Sequence, residues 1–371
     1  MKTLKEYFSE LNDNRQSGKV KHLISEILVI ALCAVCSGVQ TVFEIGEFAE
    51  VKKDWLKNEV GLLLENGVPS HDTIGRVLAM INPKQFQNLF ISWIEQSLNI
   101  PAGSYIHIDG KTLRGSASEQ SRGIHLVSAF AHEAGVVLGQ IKCAEKSNEI
   151  TAIPELLNLL KLKSSIITID AMGCQKEIAK EITKKKCDYV LALKENQPAA
   201  YNDVKDYFSI EDKDFQNTLL RFETLDIGHG REEKREYFLS SNINWFADKN
   251  KWANLKSFGM VKSTVRCKGK QYSEKRYFIS SIEDINEFVT AVRTHWTIEN
   301  TLHWSLDVIF RDDECQIREK NTAENIAILR RICFNRMKMY QNGKTLKRKK
   351  MLCTFDDSFR FNVLFSSGIH A

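Results

Sequence analysis

Asp109 closes an apolar run in IHIDGK, and Asp170 closes another in IITIDAMG. A carboxylate at the C-terminal end of a core strand, followed by a small residue, lies where α/β folds bind their ligands. Taken singly, each reads best as a turn or N-cap aspartate. Taken together on two strands of one sheet, they suit a hard divalent cation, because such ions prefer carboxylate oxygens. Glu299 supplies a third carboxylate. It lies in THWTIENTLHWSLDV, where His295, Glu299, His303 and Asp307 recur every four residues. That spacing places neighbours on one helical stripe. Ile298, Leu302 and Leu306 form an adjacent apolar stripe that can seat the helix on a sheet. A His/Glu zinc site is the rival reading, but H-x-x-x-E-x-x-x-H is not the zincin pattern H-E-x-x-H. Two strand-end aspartates and a helix glutamate can hold two Mg²⁺ or Mn²⁺ ions about 3.5–4 Å apart, the spacing used by nucleases and polymerases. Phosphodiester chemistry then needs positioning and charge neutralisation and little else. Asp307, two turns further along the stripe, is the alternative third ligand.

The elements that must position these residues follow from periodicity. SYIHIDG, GIHLVSAFAH and GVVLGQIKCA read as three strands, with the GK and EAG segments as turns. EITAIPELLNLLKL then reads as a helix, SSIITIDA as a buried strand, QKEIAKEITKKK as a helix and CDYVLALK as a strand, the βαβ rhythm of a sheet covered by helices. After Asn196 the rhythm breaks. TLLRFETL, REEKREYFLS, FGMVKSTVRC and QYSEKRYFISS read as antiparallel strands, followed by a helix over 285–304 and another over 322–340. The first hundred residues are helical: Ile24, Ile27, Leu28 and Leu32 share a face, as do Phe86, Leu89, Phe90 and Trp93. A helix is predicted after Pro69, with Ser70 or Asp72 as its N-cap. The chain therefore divides into a helical N-terminal domain (1–100), a first core part (101–196), a β-rich basic insertion (197–284) and a second core part with a basic tail (285–371).

Composition is that of a soluble globular chain, 43% hydrophobic and 27% charged. The best apolar run, from His22 to Cys36, is too short to span a bilayer and carries Glu26. The N-terminus is too polar for a secretory signal, so a cytoplasmic location without membrane contact is expected. Nine scattered cysteines imply reduced thiols, and the lone pair Cys33 and Cys36 reads as two buried helix residues. From Lys213 to Arg276 there are 14 Lys and Arg against 8 Asp and Glu, an excess that outweighs the chain's net charge of +5. GKTLKRKK near the C-terminus adds five basic residues within eight. Such clusters favour a polyanion, although a solvated surface is the commoner origin of either. Candidate phosphate contacts are Lys111, Arg114 and Lys194 beside the strand ends. His229 and Arg231 in a glycine-flanked turn, Lys262, Arg266, Lys268 and Lys270 in the insertion, and Arg293 and His295 on the glutamate helix complete the set. Trp245 and Trp252 could stack on an unpaired base, though tryptophan is more often core.

The segments IDGKTLRGS, HLVSAF, EKSNEI, ITIDAMGCQ, YVLALKENQ, HGREEKRE, RYFISS and RTHWTIENTLHWSLDVIFRDD resemble the ISAs-type insertion-sequence transposases, which include the H-repeat-associated proteins. LCAVCSGVQTVFEIGEFAE and GVPSHDTIGRVL resemble the helical N-terminal part of that family. The resemblance covers nearly the whole chain in one order. It implies an RNase H-like catalytic core with the DDE triad on Asp109, Asp170 and Glu299, and a β-stranded insertion between the second Asp and the Glu. The leading reading is then metal-dependent cleavage and transfer of double-stranded DNA at terminal inverted repeats into target DNA. The pairing of two DNA ends calls for at least a dimer during reaction, expected to be a homodimer on DNA. Related hairpin-forming transposases carry Y-(2)-R-(3)-E-(6)-K around the glutamate. Those places hold Val292, His295 and Leu306, with Arg293 and Asp307 close by, so a DNA-hairpin step is not carried over. The alternatives on the same fold are an inactive DNA-binding relic or regulator, and a nuclease without transposition.

Overall fold

The computed structural model describes residues 2–117, 122–144, 148–228 and 230–366. Nine strands among them form one mixed sheet: β1 Tyr105–Leu113, β2 Ile124–Ala131, β3 Val136–Lys142, β4 Ile166–Ile169, β5 Asp188–Leu193, β6 Leu220–Gly228, β7 Arg231–Ser240, β8 Ser257–Cys267 and β9 Lys270–Ser280. Their order is β3-β2-β1-β4-β5-β9-β8-β7-β6. The first three are joined antiparallel; β4 and β5 then add parallel to β1 through the helices Glu149–Leu159 and Lys176–Lys184. Parallel neighbours need such crossovers, and β4 and β5 read accordingly as near-continuous apolar runs.

Two expectations about strand ends are corrected. The GK pair after Asp109 is not a turn, because β1 runs on through Gly110 and Lys111 to Leu113, paired with β2 down to Ile124. What ends at Asp109 is the parallel ladder, whose last pair is Ile108 with Ile169. The basic segment after Asn196 opens with helices Pro198–Tyr207 and Lys213–Thr218, and its strands extend the sheet through the antiparallel pairing of β9 with β5.

The N-terminal helices form as their patterns dictate. Ser70 caps His71–Met80, and Asn82 with Pro83 at the first position opens Pro83–Ser97. Ile24–Ser37 is buried almost all round, with Cys33 and Cys36 inside it, and all nine cysteines are free thiols. These helices pack around Lys320–Met339, and their apolar core is continuous with that under the sheet. Among the described residues, no single helix is long and apolar enough to cross a membrane.

Trp245 stacks on Tyr207 and packs against Phe246 and Phe258, while Trp252 is buried, so both are core residues rather than base-stacking platforms. The basic run near the C-terminus is corrected too. It forms the helix Leu346–Phe355, and two of its lysines turn inward. Lys349 donates to the carbonyls of Met337 and Tyr340, and Lys350 to those of Val35 and Cys36. Both lysines thereby bind carbonyls at the last turns of two helices, where basic groups are favoured.

Candidate active site

Asp109 faces Ser128 across β1–β2 and sits beside the end of β4, where the chain turns into Asp170. Asp170 caps the short turn Ala171–Gly173 by accepting from the backbone N–H groups of Met172 and Gly173. The capping role and the site role therefore belong to the same carboxylate. Asn196 donates to the carbonyl of Ala171, fixing that turn from the end of β5.

Glu299 comes from the long helix that begins at Ile285. The helix is α-helical over Ile285–Thr297, π-helical over Ile298–His303 and α-helical again over Trp304–Val308. Ile298, Leu302 and Leu306 are fully buried, as their stripe predicts. The polar stripe faces β4 and β1. His295 Nδ1 lies 2.7 Å from Thr168 Oγ1, which is also 2.7 Å from His107 Nδ1. Further along, His303 Nδ1 is 3.5 Å from Asp109 Oδ2, and Asp307 Oδ1 is 2.6 Å from Lys111 Nζ. Single-turn π segments recur at functional sites, and here one carries the glutamate.

The three carboxylates lie close enough to feel one another's charge. Burial, then the charges of Asp170, Glu149 and Glu299, push the Asp109 carboxyl up to about 7 against an opposing backbone hydrogen bond. Asp170 is raised by burial and by Glu149, against its two backbone donors and Lys194. Glu299 is raised by burial and by Asp170, with Arg276 opposing. Burial holds His303 down to about 3 and His295 down to about 4, so both imidazoles are neutral at physiological pH.

Glu149 was not singled out from its residue type, although it stands in the EKSNEI segment. Its Oε1 lies 2.7 Å from His125 Nε2, whose Nδ1 is 2.8 Å from Thr112 Oγ1. A Cβ at position 110 would collide with that carboxylate, so Gly110 is what lets Glu149 approach the strand beside Asp109. No local pattern reveals this contact.

The donor set suits a hard divalent cation: carboxylates that repel one another, one of them held by burial and its neighbours' charge to a value near neutrality. Its side chains are not drawn into a closed shell. Among the described residues no group of three or more His, Cys, Asp or Glu is placed to hold an ion as it stands.

The expected DNA contacts separate into groups. Lys111 is withdrawn, because its side chain is 7% exposed and ion-paired with Asp307 and Asp313. His295 is withdrawn for a related reason, being half-buried and engaged with Thr168. Arg114, with its side chain 84% exposed, and Lys194 remain on the surface. Lys194, Arg276, His295 and Trp296 line a cavity of about 190 Å³ with Asp170 and Glu299. A groove of about 680 Å³ adjoins it between β7–β9 and the glutamate helix, lined by Arg231, Arg235, Arg276, Arg293, Tyr272 and Trp296. Arg276 stacks over Trp296, and Arg293 pairs with Asp226. Neither Arg276 nor Trp296 was identified from sequence, since only the folding of β9 onto the helix brings them together. Lys262 pairs with Glu236 and Arg266 with Glu232, whereas Lys268 and Lys270 are exposed at the β8–β9 turn. His229 lies outside the described residues.

Residues 103–336 match the family model described as the transposase DDE domain, and residues 5–94 match that described as DDE_Tnp_1-associated. The chain is 43% identical to YncI of Escherichia coli O157:H7, named a transposase, over 95% of this chain and 92% of that one. It is 39% identical to the H repeat-associated transposase-named YhhI of Escherichia coli K12, over 100% of this chain and 99% of the relative. The piggyBac transposase synaptic complex with hairpin DNA aligns at a TM-score of 0.45 and 12% identity, over 98% of this chain and 80% of that one.

Proposed function

The chain belongs to the DDE transposase family, and from that premise we propose that this DNA transposase cuts and joins the ends of its element at a site built on Asp109, Asp170 and Glu299. The observation that carries the assignment is the parallel pairing of β1 with β4, which sets Asp109 beside Asp170 under the helix bearing Glu299. The strand order β3-β2-β1-β4-β5, with the first three antiparallel and the last two parallel to β1, supports an RNase H-like core interrupted by the β6–β9 segment. The divisions at residues 100, 196 and 284 are proposed as the functional segments.

The three carboxylates would hold Mg²⁺ or Mn²⁺. Two such ions, when bound, supply the charge that activates water or a 3′-hydroxyl and stabilises the leaving 3′-oxygen. The chain's own residues do the rest. Asp109 would release its proton to solvent when a cation is held there, and Asp170 is held in its orientation by two backbone donors. The π segment presents Glu299 from above. Arg276 and Lys194 line the adjoining cavity, where guanidinium and ammonium groups can take phosphates. Double-stranded terminal repeats and target DNA are the proposed partners. A homodimer would bring two ends together, in the cytoplasm and away from membranes.

A labelled DNA end carrying candidate terminal repeats, incubated with Mg²⁺ or Mn²⁺, tests this. Wild type should cleave, while Asp109→Asn, Asp170→Asn and Glu299→Gln should each lose at least 10²-fold and still bind DNA. A wild-type protein that binds but never cleaves would make the chain a DNA-binding relic. An active Glu299→Gln beside a dead Asp307→Asn would move the third ligand to Asp307.

A further inference from the structure

Lys111 buries an ammonium group two residues beyond Asp109. Its Nζ lies 2.6 Å from Asp307 Oδ1 and 3.1 Å from Asp313 Oδ1, and its side chain is 7% exposed. A buried Lys is tolerated where charge partners replace its water, and here there are two, Asp307 at the far end of the glutamate helix and Asp313 in the turn just after it. Asp313 also accepts from the backbone N–H of Arg114, so the grip spans the whole end of β1.

The geometry ties this grip to the site. Side chains two apart on a strand share a face, so Asp109 and Lys111 point to the same side of β1. The helix follows that face: His303 meets Asp109, and four residues on Asp307 meets Lys111. Two strand residues advance about 6.6 Å and four helical residues about 6 Å, so both contacts form without strain. Glu299 lies in the π segment just before them, a wide turn with a geometry seldom sustained on its own. Its position therefore depends on how the helix is held at either end. His295 on Thr168 holds one side, and the Lys111 clamp holds the other.

We propose that Lys111, gripping Asp307 and Asp313, is a positioning residue that sets the separation of Asp109 and Glu299, and is not a DNA contact. The proposal rests on the reading of those carboxylates as the metal site. The test uses the full-length protein with Lys111→Met, Lys111→Arg and Glu299→Gln. It measures Mn²⁺ binding by electron paramagnetic resonance, DNA-end binding against salt, and single-turnover cleavage. Lys111→Met should weaken Mn²⁺ binding on the order of tenfold and slow cleavage further, with an unchanged salt slope, and Lys111→Arg should restore much of both. Wild-type Mn²⁺ affinity in Lys111→Met overturns the clamp. So does a salt slope smaller by about one, the mark of a lost phosphate contact. If Lys111→Met does not fold, Asp313→Asn loosens the same grip, and wild-type Mn²⁺ affinity there overturns the clamp equally. An active Glu299→Gln instead overturns the metal-site reading itself, whereas an inactive Glu299→Gln beside an unaffected Lys111→Met removes the clamp alone.

Discussion

A carboxyl group whose proton is lost only near pH 7 weighs on the fold around it. The unfolded chain ionises Asp109 near its ordinary value of 3.8, whereas the native protein holds the proton up to about 7. Between those values the native state binds more protons, so this group's contribution to stability is full below pH 4 and is lost as pH rises through 7. The neutral histidines His295 and His303 act the other way: held to about 4 and about 3, they favour the native state as pH rises towards 6.5. The difference between wild type and Asp109→Asn isolates the carboxylate. We expect Asp109→Asn to melt above wild type at pH 8 in the absence of metal and to lose that advantage by pH 4. Mg²⁺ should stabilise wild type more than the variant, increasingly so at higher pH. Parallel melting curves for the two proteins across this range would refute the assignment.

At the scale of elements, the glutamate helix is held by close packing as much as by charge. Phe288, in its first turns, fills a slot over Gly259 on β8, between the positions of Leu239 and Phe278. A methyl group at Gly259 would collide with the Phe288 ring. Overpacking of this kind costs about 1–3 kcal/mol. Gly259→Ala should lower the urea midpoint accordingly and reduce cleavage, because the ring cannot move without tilting the helix that carries Glu299. An unaltered midpoint would mean that the slot relaxes freely. The same slot explains why the β6–β9 strands, inserted between Asp170 and Glu299, belong to the scaffold of the triad.

Across the whole molecule, buried charge locks the turn after the glutamate helix onto the central helix Lys320–Met339. Asp312, just past the glutamate helix, is fully enclosed with Arg330 at 2.6 Å and Arg331 at 3.6 Å. Removing one partner of a buried ion pair costs roughly 3–5 kcal/mol, because the remaining charge is stranded. Asp312→Ala strands two guanidinium groups and should destabilise the protein by at least that range in chemical unfolding; a loss under about 1 kcal/mol would refute it. DNA binding belongs to this scale too. Lys268 and Lys270 stand exposed at the β8–β9 turn, and replacing both with Ala should flatten the salt dependence of binding by about two units. An unchanged slope would direct attention to Arg114 and Lys194 instead.

Local information determined most of the elements and the identity of the candidate triad. Alternation and 3.6-residue periodicity mark β2–β5, the two crossover helices and the stripe of Ile298, Leu302 and Leu306, because each depends only on neighbours a few residues away. The two aspartates that follow apolar runs were legible for the same reason, although Asp109 proved to lie where the parallel ladder ends and not at the end of its strand. Tertiary structure alone decided what those side chains meet. Lys111 looks like a phosphate contact until Asp307 and Asp313, some two hundred residues later, enclose it. Lys349 and Lys350 look like a solvated tail until they reach carbonyls at the ends of the preceding helix and of the distant helix Ile24–Ser37. Glu149 becomes visible only when Gly110 leaves room for it beside Asp109. Charge type is written in the residue, but its partner and its exposure are set by contacts that no local pattern encodes.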